Sequence, residues 1–441
     1  MKVKALSRSS NDYVRERSQD IHKVQRNLDP TAHPFQQGRE YVRALNAVKL
    51  DRMFSKPFVG AMGGHIDGVY CMAKHPNQLN TVISGSGDGE IRLWKLSEQE
   101  TVWRTSGHNG IVQGVCAGSN SGHFLSCSTD KTVKIWDTTS SSEPIQTYLA
   151  DHALMGLTHH RKDPVFATAG RTVNVWDENR SEPIHSFEWG ADSYQSVKFN
   201  QVETNIFASC GTDRTIVLYD MRTSQPLSKL VMALRTNAIA WNPIEAYTFA
   251  TANEDHNAYI FDMRKMDSAQ NVLKDHVSAV MDIDYSPTGQ EVVTGSYDRT
   301  LRLFDVRRGH SRDAYHTKRM QRIFSVQFTM DSKYVLSGSD DGNIRIWKAR
   351  ASEKLGITDW RERQNLEYAE SLKERFKHMD EIRRIGRHRP LPNDVRRADK
   401  LKKEMLGAQR RKDENRRKHS RKAAQEKPVA ERKKAIIGVA K

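Results

Sequence analysis

Between about residue 58 and residue 350 the chain alternates clusters of turn residues with short apolar runs. "SGHNGIVQGVCAG" (106–118) and "KDHVSAVMDIDYSPTG" (274–289) each read as turn, apolar run, turn. The runs are rich in Val, Ile, Phe and Tyr, side chains that suit a pleated, half-buried surface. The pattern predicts strands over this whole stretch.

The strands are grouped. "GSDDGNIRIWK" (338–348) places Asp341 six residues before Trp347, and the same unit recurs with Asp88 and Trp94, and with Asp130 and Trp136. It returns with Asp213 and Tyr219, Asp255 and Phe261, and Asp298 and Phe304; a further copy ends at Trp176 without the aspartate. The closing aromatics stand at 94, 136, 176, 219, 261, 304 and 347, at intervals of 42, 40, 43, 42, 43 and 43. A Gly-His…Trp-Asp unit with a period of about 40–45 residues is the signature of WD40 repeats, one four-stranded blade each. The expected fold is all-β: a seven-bladed WD40 β-propeller with N-terminal and C-terminal basic, partly helical extensions. No further Gly-His unit follows Trp347, so the last blade should take its fourth strand from "FVGAM" (58–62), tying the ring's ends together.

The recurring polar residues have a structural role. A histidine, a Ser or Thr, the turn aspartate and the tryptophan can share one hydrogen-bond network, and buried polar groups persist when paired. His65, Asp88 and Trp94 are the expected set in blade one, and His108, Asp130 and Trp136 in blade two. In blade six His276 and Asp298 meet Phe304, which has no indole N–H, so that network should be shorter. Blade three has His152 and Trp176 but no turn aspartate, and blades four, five and seven lack the histidine. Because the same triple recurs in several blades, it is not read as catalytic.

Charge divides the 441 residues into three parts. The total is +16; residues 351–441 hold 28 Lys/Arg against 15 Asp/Glu, and residues 1–57 hold 12 against 6. The stretch 58–350 is left with a net of −3. A near-neutral platform with basic flanks suits a polyanionic partner. The domains are read as 1–57, a basic extension with a helix; 58–350, the propeller; 351–393, an amphipathic helical segment; and 394–441, a basic tail. No signal peptide and no membrane span is expected. Cys71, Cys116, Cys127 and Cys210 show no metal-ligand spacing and read as small buried residues in a reducing compartment. Phosphate-loop, dinucleotide and hydrolase-elbow motifs are missing, so no catalytic residue, metal site, cofactor or small-molecule substrate is expected.

In the N-terminal flank, Tyr41, Leu45, Val48 and Met53 with Phe54 give a partial apolar stripe on a helix from Gly38. It could pack on the propeller or dock a partner. In "NLEYAESLKERFKHMDEIRRIG", the residues Tyr368, Leu372, Phe376, Met379, Ile382 and Ile385 lie on one face of a predicted helix over 365–386. Pro390 and Pro392 end it. Basic pairs follow, and the expected RNA contacts are Arg383, Arg384, Arg387, Arg389, Arg396, Arg397, Lys402, Lys403, Arg410, Arg411, Lys412, Arg416, Arg417 and Lys418. Arg421-Lys422 and Lys433-Lys434 continue the pattern. Few aromatics interleave, so recognition of backbone and shape in structured RNA is expected; a solvated arm or an import signal is the alternative.

Five stretches carry a more specific resemblance: "RNLDPTAHPFQQGREYVRALNAVKLDRMFSKPFVG", "RTNAIAWNPIEAYTFATANEDHNAYIFDMR", "DHVSAVMDIDYSPTGQEVVTGSYDRTLRLFD", "YHTKRMQRIFSVQFTMDSKYVLSGSDDGNIRIWK" and "EYAESLKERFKHMDEIRRIGRHRPLP". The chain resembles the suppressor-of-fibrillarin WD-repeat family of the small-subunit processome, flanks included. The resemblance implies a non-catalytic factor of the nucleus and nucleolus. Its implied partners are precursor ribosomal RNA, the box C/D small nucleolar ribonucleoprotein and other processome proteins. In animals the family is also associated with cullin-4 ubiquitin ligases, whose receptors often end a repeat with Asp-x-Arg. Here "YDMR", "FDMR" and "FDVR" make Arg222, Arg264 and Arg307 the candidate contacts for a ligase adaptor, with Tyr or Phe where that pattern favours Trp. In "WDENR", Arg180 stands one place late.

Overall fold

The computed structural model describes residues 33–118, 122–138, 143–188, 193–223, 225–420 and 429–440. It falls into two compact units. One comprises the described residues within 57–349 and 389–440, the other those within 33–56 and 350–388.

The first unit is a seven-bladed propeller, each blade an antiparallel sheet. Blades one to six span 69–106, 112–149, 156–187, 194–232, 236–273 and 280–315, and three strands of blade seven span 323–348. First strands of consecutive blades touch in sequence order, and the first strand of blade seven touches that of blade one. The fourth strand of blade seven is Phe58–Gly63, which pairs antiparallel with Asn343–Lys348. Met62 on that strand is fully buried beside Trp94 and Ile344. The ring therefore closes by joining residues almost 300 positions apart in sequence, and the closure leaves few open sheet edges.

Each marker aromatic lies on the third strand of its blade and is almost fully buried. The turn before that strand holds one residue at positive φ directly after the turn aspartate: Gly89 (83°), Lys131 (67°), Arg214 (68°), His256 (69°), Arg299 (62°) and Gly342 (72°). Four blades hold a side chain in this left-handed region, which favours glycine. The aspartate offsets the strain by accepting the N–H two residues on: Asp130 Oδ1 from Thr132 at 3.0 Å, Asp298 Oδ1 from Thr300 at 2.9 Å.

The hydrogen-bond networks form to different extents. In blade two the Trp136 indole donates to Ser126 Oγ (2.7 Å), and Ser126 meets His108 Nε2 (2.7 Å). His108 Nδ1 then meets Asp130 Oδ2 (2.9 Å). Blade six repeats the inner part, with His276 between Thr294 (2.7 Å) and Asp298 (2.9 Å), and Phe304 adds no donor. Blade one departs from expectation. His65 and Trp94 share Ser84 Oγ, each at 2.7 Å, but His65 Nδ1 faces Glu90 at 3.4 Å. Asp88 stays exposed and accepts the Glu90 N–H at 3.2 Å. In blade three Trp176 donates to Thr168 at 3.0 Å, while His152 is exposed. In blade seven Trp347 donates to Ser337 at 2.9 Å, and Arg345 on the same strand bonds Ser339 at 2.7 Å and pairs with the turn aspartate Asp341. Burial pushes the His108 and His276 imidazoles below their ordinary range, against the pull of their aspartates.

The second unit is helical. Helix α1 (Gln36–Met53) packs on α2 (Trp360–Arg375) and α3 (Asp380–Arg387). Ala44 and Val48 bury against Leu372 and Ile382, with Tyr41, Leu45, Phe376 and Ile385 around them. Lys373–Asp51 (2.5 Å) and Arg375–Glu40 (2.6 Å) pair across the contact. The two apolar stripes found at opposite ends of the chain thus cover each other. The single helix expected over 365–386 is two helices with a turn at 376–379. The stripe's steps change there from four residues to three, so on one straight helix its two halves would drift to different sides of α1. Tyr368 and Met379 remain exposed.

The tail expected as a separate segment over 394–441 instead joins the propeller unit. Helix α4 (Asn393–His419) leads to the strand Ile436–Ala440, which pairs antiparallel with Pro226–Met232 as a fifth strand of blade four. Ala435 is buried, and Ile436 and Val439 pack on a core that includes Leu230, Met232 and Trp241. An outer strand with unpaired N–H and C=O groups is a ready template for such addition. Arg421-Lys422, and the part of the N-terminal extension before residue 33, lie outside the described residues.

Candidate functional site

Helix α4 carries most of the expected RNA contacts. Of its 27 residues only Val395 is buried, so the helix is solvated along nearly its whole length. At 1.5 Å per residue it extends roughly 40 Å. It holds 11 Lys/Arg against 5 Asp/Glu, so internal pairing leaves an excess of positive charge. Arg396, Arg397, Arg411, Lys412 and Arg416 are exposed. Lys403 pairs with Asp399 (2.6 Å), Lys418 with Glu414 (2.9 Å), and Arg410 with Glu431 (3.0 Å). These are surface pairs that a phosphate can displace at small cost.

Three of the expected RNA contacts serve the fold. The Arg389 guanidinium donates to the Ser311 carbonyl (3.1 Å), and Lys402 Nζ to the His276 carbonyl (2.8 Å). Burial holds the Lys402 ammonium below its ordinary range, with Asp255 opposing. Arg417 turns back to the Asp413 carbonyl at 3.2 Å. Lys402 and Arg389 therefore anchor the start of α4 to blade six. Charge counting along the sequence missed this, because both look like any other basic residue in the run. Glu431 belongs to the same anchorage: it pairs with Lys274 of the propeller, and that pairing leads the causes holding its carboxyl below the usual range. Arg383, Arg384 and Arg387 are exposed on α3 in the helical unit. The one sequence signal of the docked end is the apolar run "AIIGVA" (435–440) among charges.

The Asp-x-Arg residues occupy equivalent turns, after the third strands Thr215–Asp220, Ala258–Asp262 and Leu301–Asp305 of three consecutive blades. Asp220 and Asp262 each accept the arginine's own N–H at 3.0 Å, which fixes the turn. Arg222 and Arg307 are exposed. Arg264 is exposed too, but its guanidinium forks onto Asp262 (3.1 and 2.9 Å) and lies 4.1 Å from the Tyr247 ring centroid. Beside it is a cavity of about 250 Å³, lined by Leu218, Leu227, Met263 and Met266 and walled on one side by Val439 of the added strand.

His65, Asp88 and Glu90 could supply three ligand atoms to a metal ion. The Arg92 guanidinium sits on Glu90 at 2.8 Å and already supplies the positive charge there. Cys71, Cys127 and Cys210 are buried and Cys116 half-buried; burial pushes the thiols of Cys71, Cys116 and Cys210 up to about 12, far from a reactive thiolate.

Fold and surface define a WD-repeat propeller of the scaffold or adaptor class, with a basic helix displayed beside the ring. Family models match in two places: the WD domain, G-beta repeat, at residues 56–95, 99–137, 268–305 and 314–348, and the Sof1-like domain at residues 349–436. The chain is 51% identical to DDB1- and CUL4-associated factor 13 of Xenopus laevis over the full length of both. It is 49% identical to the protein of that name from Homo sapiens, again over both full lengths. It is 47% identical to Protein SOF1 of Saccharomyces cerevisiae, covering 99% of this chain and 95% of that one. The chain belongs to this family, that of SOF1 and DDB1- and CUL4-associated factor 13.

Proposed function

We propose that this protein is a non-catalytic scaffold of the nucleolar small-subunit processome. In this reading it is needed for processing of precursor ribosomal RNA to small-subunit rRNA and for assembly of the small subunit. The exposed basic face of α4 carries the proposal. Lys and Arg on phosphate release counterions, and a rigid helix can follow an RNA backbone without reading bases. Full-length similarity to Protein SOF1, flanks included, supports the same assignment. The partners are precursor rRNA, the box C/D small nucleolar ribonucleoprotein and other processome proteins, and the place of work is the nucleolus.

A second role is favoured by a separate observation. Three consecutive blades present Asp-x-Arg turns with exposed Arg222, Arg264 and Arg307, and the animal relatives carry the name DDB1- and CUL4-associated factor. In this role the propeller is a substrate receptor of a cullin-4 type ligase. One experiment addresses both. Cells depleted of the protein receive a version with Arg396, Arg397, Arg411, Lys412 and Arg416 changed to Gln, or one with the three turn arginines changed to Ala. The first should lose crosslinking to precursor rRNA and accumulate unprocessed precursor. The second should process rRNA normally but no longer co-purify with the ligase adaptor. Normal processing and crosslinking with the neutralised helix would overturn the RNA reading, and undiminished adaptor recovery would overturn the second role.

A further inference from the structure

An aromatic cluster lies where blades six, seven and one meet. Tyr70 is the second residue of the strand Val69–Lys74, and Phe324 the second of Ile323–Phe328. Their rings stack at 4.7 Å with 6° between planes. Tyr297, from the turn after Glu291–Ser296 in blade six, meets Phe324 edge-on at 6.0 Å and is 36% exposed. The Arg322 guanidinium stands 5.4 Å from the Tyr297 ring centroid, so the cluster already holds one cation at its blade-six end.

Two carboxylates border the opposite end. A Cβ added at Gly87 would meet Asp67 Oδ2 at 2.4 Å and the Tyr70 ring at 3.0 Å. One added at Gly68 would meet Asp340 Oδ1 at 3.3 Å and the Phe324 ring at 3.4 Å. The missing Cβ atoms thus let each acid pack close beside one of the two stacked rings, Asp67 by Tyr70 and Asp340 by Phe324. Burial, then Asp67 and Asp340, push the Tyr70 hydroxyl above its ordinary value. Asp67 and Asp340 are exposed, and among the described residues neither is in an ion pair. Asp67 Oδ1 accepts the Gly68 N–H at 2.7 Å, which orients its carboxylate.

We propose that this end of the ring binds an arginine side chain of a partner polypeptide, its guanidinium against Tyr70 and Phe324 and its N–H groups on Asp67 and Asp340. Arginine fits better than lysine because a planar fork can stack on a ring and bond a carboxylate together. Charge complementarity names the partner class. Asp67 and Asp340 are both exposed beside the stacked rings, so this end of the cluster favours a cationic side chain. Two uncompensated carboxylates would repel a nucleic acid strand. The proposal stands independently of the RNA and ligase readings, since no residue is shared with α4 or the Asp-x-Arg turns.

The test is fluorescence polarisation of the full-length protein with a labelled Gly/Ser peptide carrying one central arginine. Its control carries citrulline, which keeps the shape and loses the charge. Saturable binding in the micromolar to millimolar range is expected, weaker by about tenfold or more for citrulline. Asp67→Asn with Asp340→Asn should reduce arginine-peptide affinity to the citrulline level, since Asn keeps the acceptor for Gly68. Phe324→Leu should weaken binding with the thermal midpoint checked alongside, and Arg322→Gln should leave it unchanged or stronger. No binding of the arginine peptide, or equal binding of citrulline, would overturn the proposal. So would an RNA oligonucleotide that binds more tightly and loses affinity in Arg322→Gln.

Discussion

Asp88, Asp130 and Asp298 hold the same place in their repeats, yet alanine at each should cost different amounts. Asp130 accepts four hydrogen bonds: from His108 Nδ1 (2.9 Å), Thr132 Oγ1 (2.6 Å), and the N–H groups of Thr132 (3.0 Å) and Asn109 (3.3 Å). Its loss strands the Nδ1–H of a fully buried imidazole. Part of that is recoverable, because Thr132 Oγ1 lies 3.1 Å from Nδ1 and can donate to it if His108 changes tautomer. The expected loss is about 1–3 kcal/mol. Asp298 is the more buried of the two, its side chain 3% exposed against 16% for Asp130. Burial pushes its carboxyl up, but His276, Arg302 and Thr300 outweigh that and hold it far below the usual range. Asp298→Ala leaves the buried His276 N–H without its acceptor and should cost more than Asp130→Ala, at the upper end of about 1–3 kcal/mol. Asp88 is exposed and holds a single backbone N–H, so Asp88→Ala should stay within about 0.5 kcal/mol. Guanidinium unfolding of the full chain at neutral pH, with midpoint and slope both fitted, reads all three. Equal losses at the three positions, or a larger loss at Asp88 than at Asp130, would refute the reasoning.

Met62→Ala should lower stability by about 2–5 kcal/mol, because it empties a fully buried site on the closing strand, and limited proteolysis should then cut blade seven first. Removing residues 435–441 should uncover Leu230 and Met232 at a net cost of about 1–2 kcal/mol, with faster amide exchange in the strand Pro226–Met232; unchanged exchange there would count against the docked strand. Acidification should destabilise the propeller below pH 6.5, the ordinary histidine value: His108 and His276 have lowered native values, so the unfolded chain takes up protons first and their contribution, full above 6.5, is lost as pH falls. Asp282 works the other way, since burial raises its carboxyl to about 6 and its protonation between about 6 and 3.8 favours the native state; denaturant midpoints from neutral to acid pH should therefore fall for wild type and fall more steeply for Asp282→Asn.

The sequence by itself determined the number of blades, the aromatic that marks each, the networks of blades two and six, and the ring closure by residues near 58. The blades repeat with a period of about 42 residues and depend on contacts within one repeat or with its neighbour, and the closure follows from the one strand that the last repeat lacks. Tertiary structure decided the rest. Glu90 stands against His65 where Asp88 was expected, and Arg345 pairs with the turn aspartate of blade seven, because a buried polar group takes whichever partner the packed blade brings within reach. The stripes of α1, α2 and α3 announced burial but not their mutual cover, since amphipathic periodicity states that a face must be buried and not against what. The strand Ile436–Ala440 lies about 200 residues from its partner in blade four; its apolar run calls for burial, but nothing in it names the sheet edge that it will fill. The same holds for Lys402 and Arg389. Composition makes them part of a basic run, and only the carbonyls of His276 and Ser311, brought beside them by the fold, make them anchors.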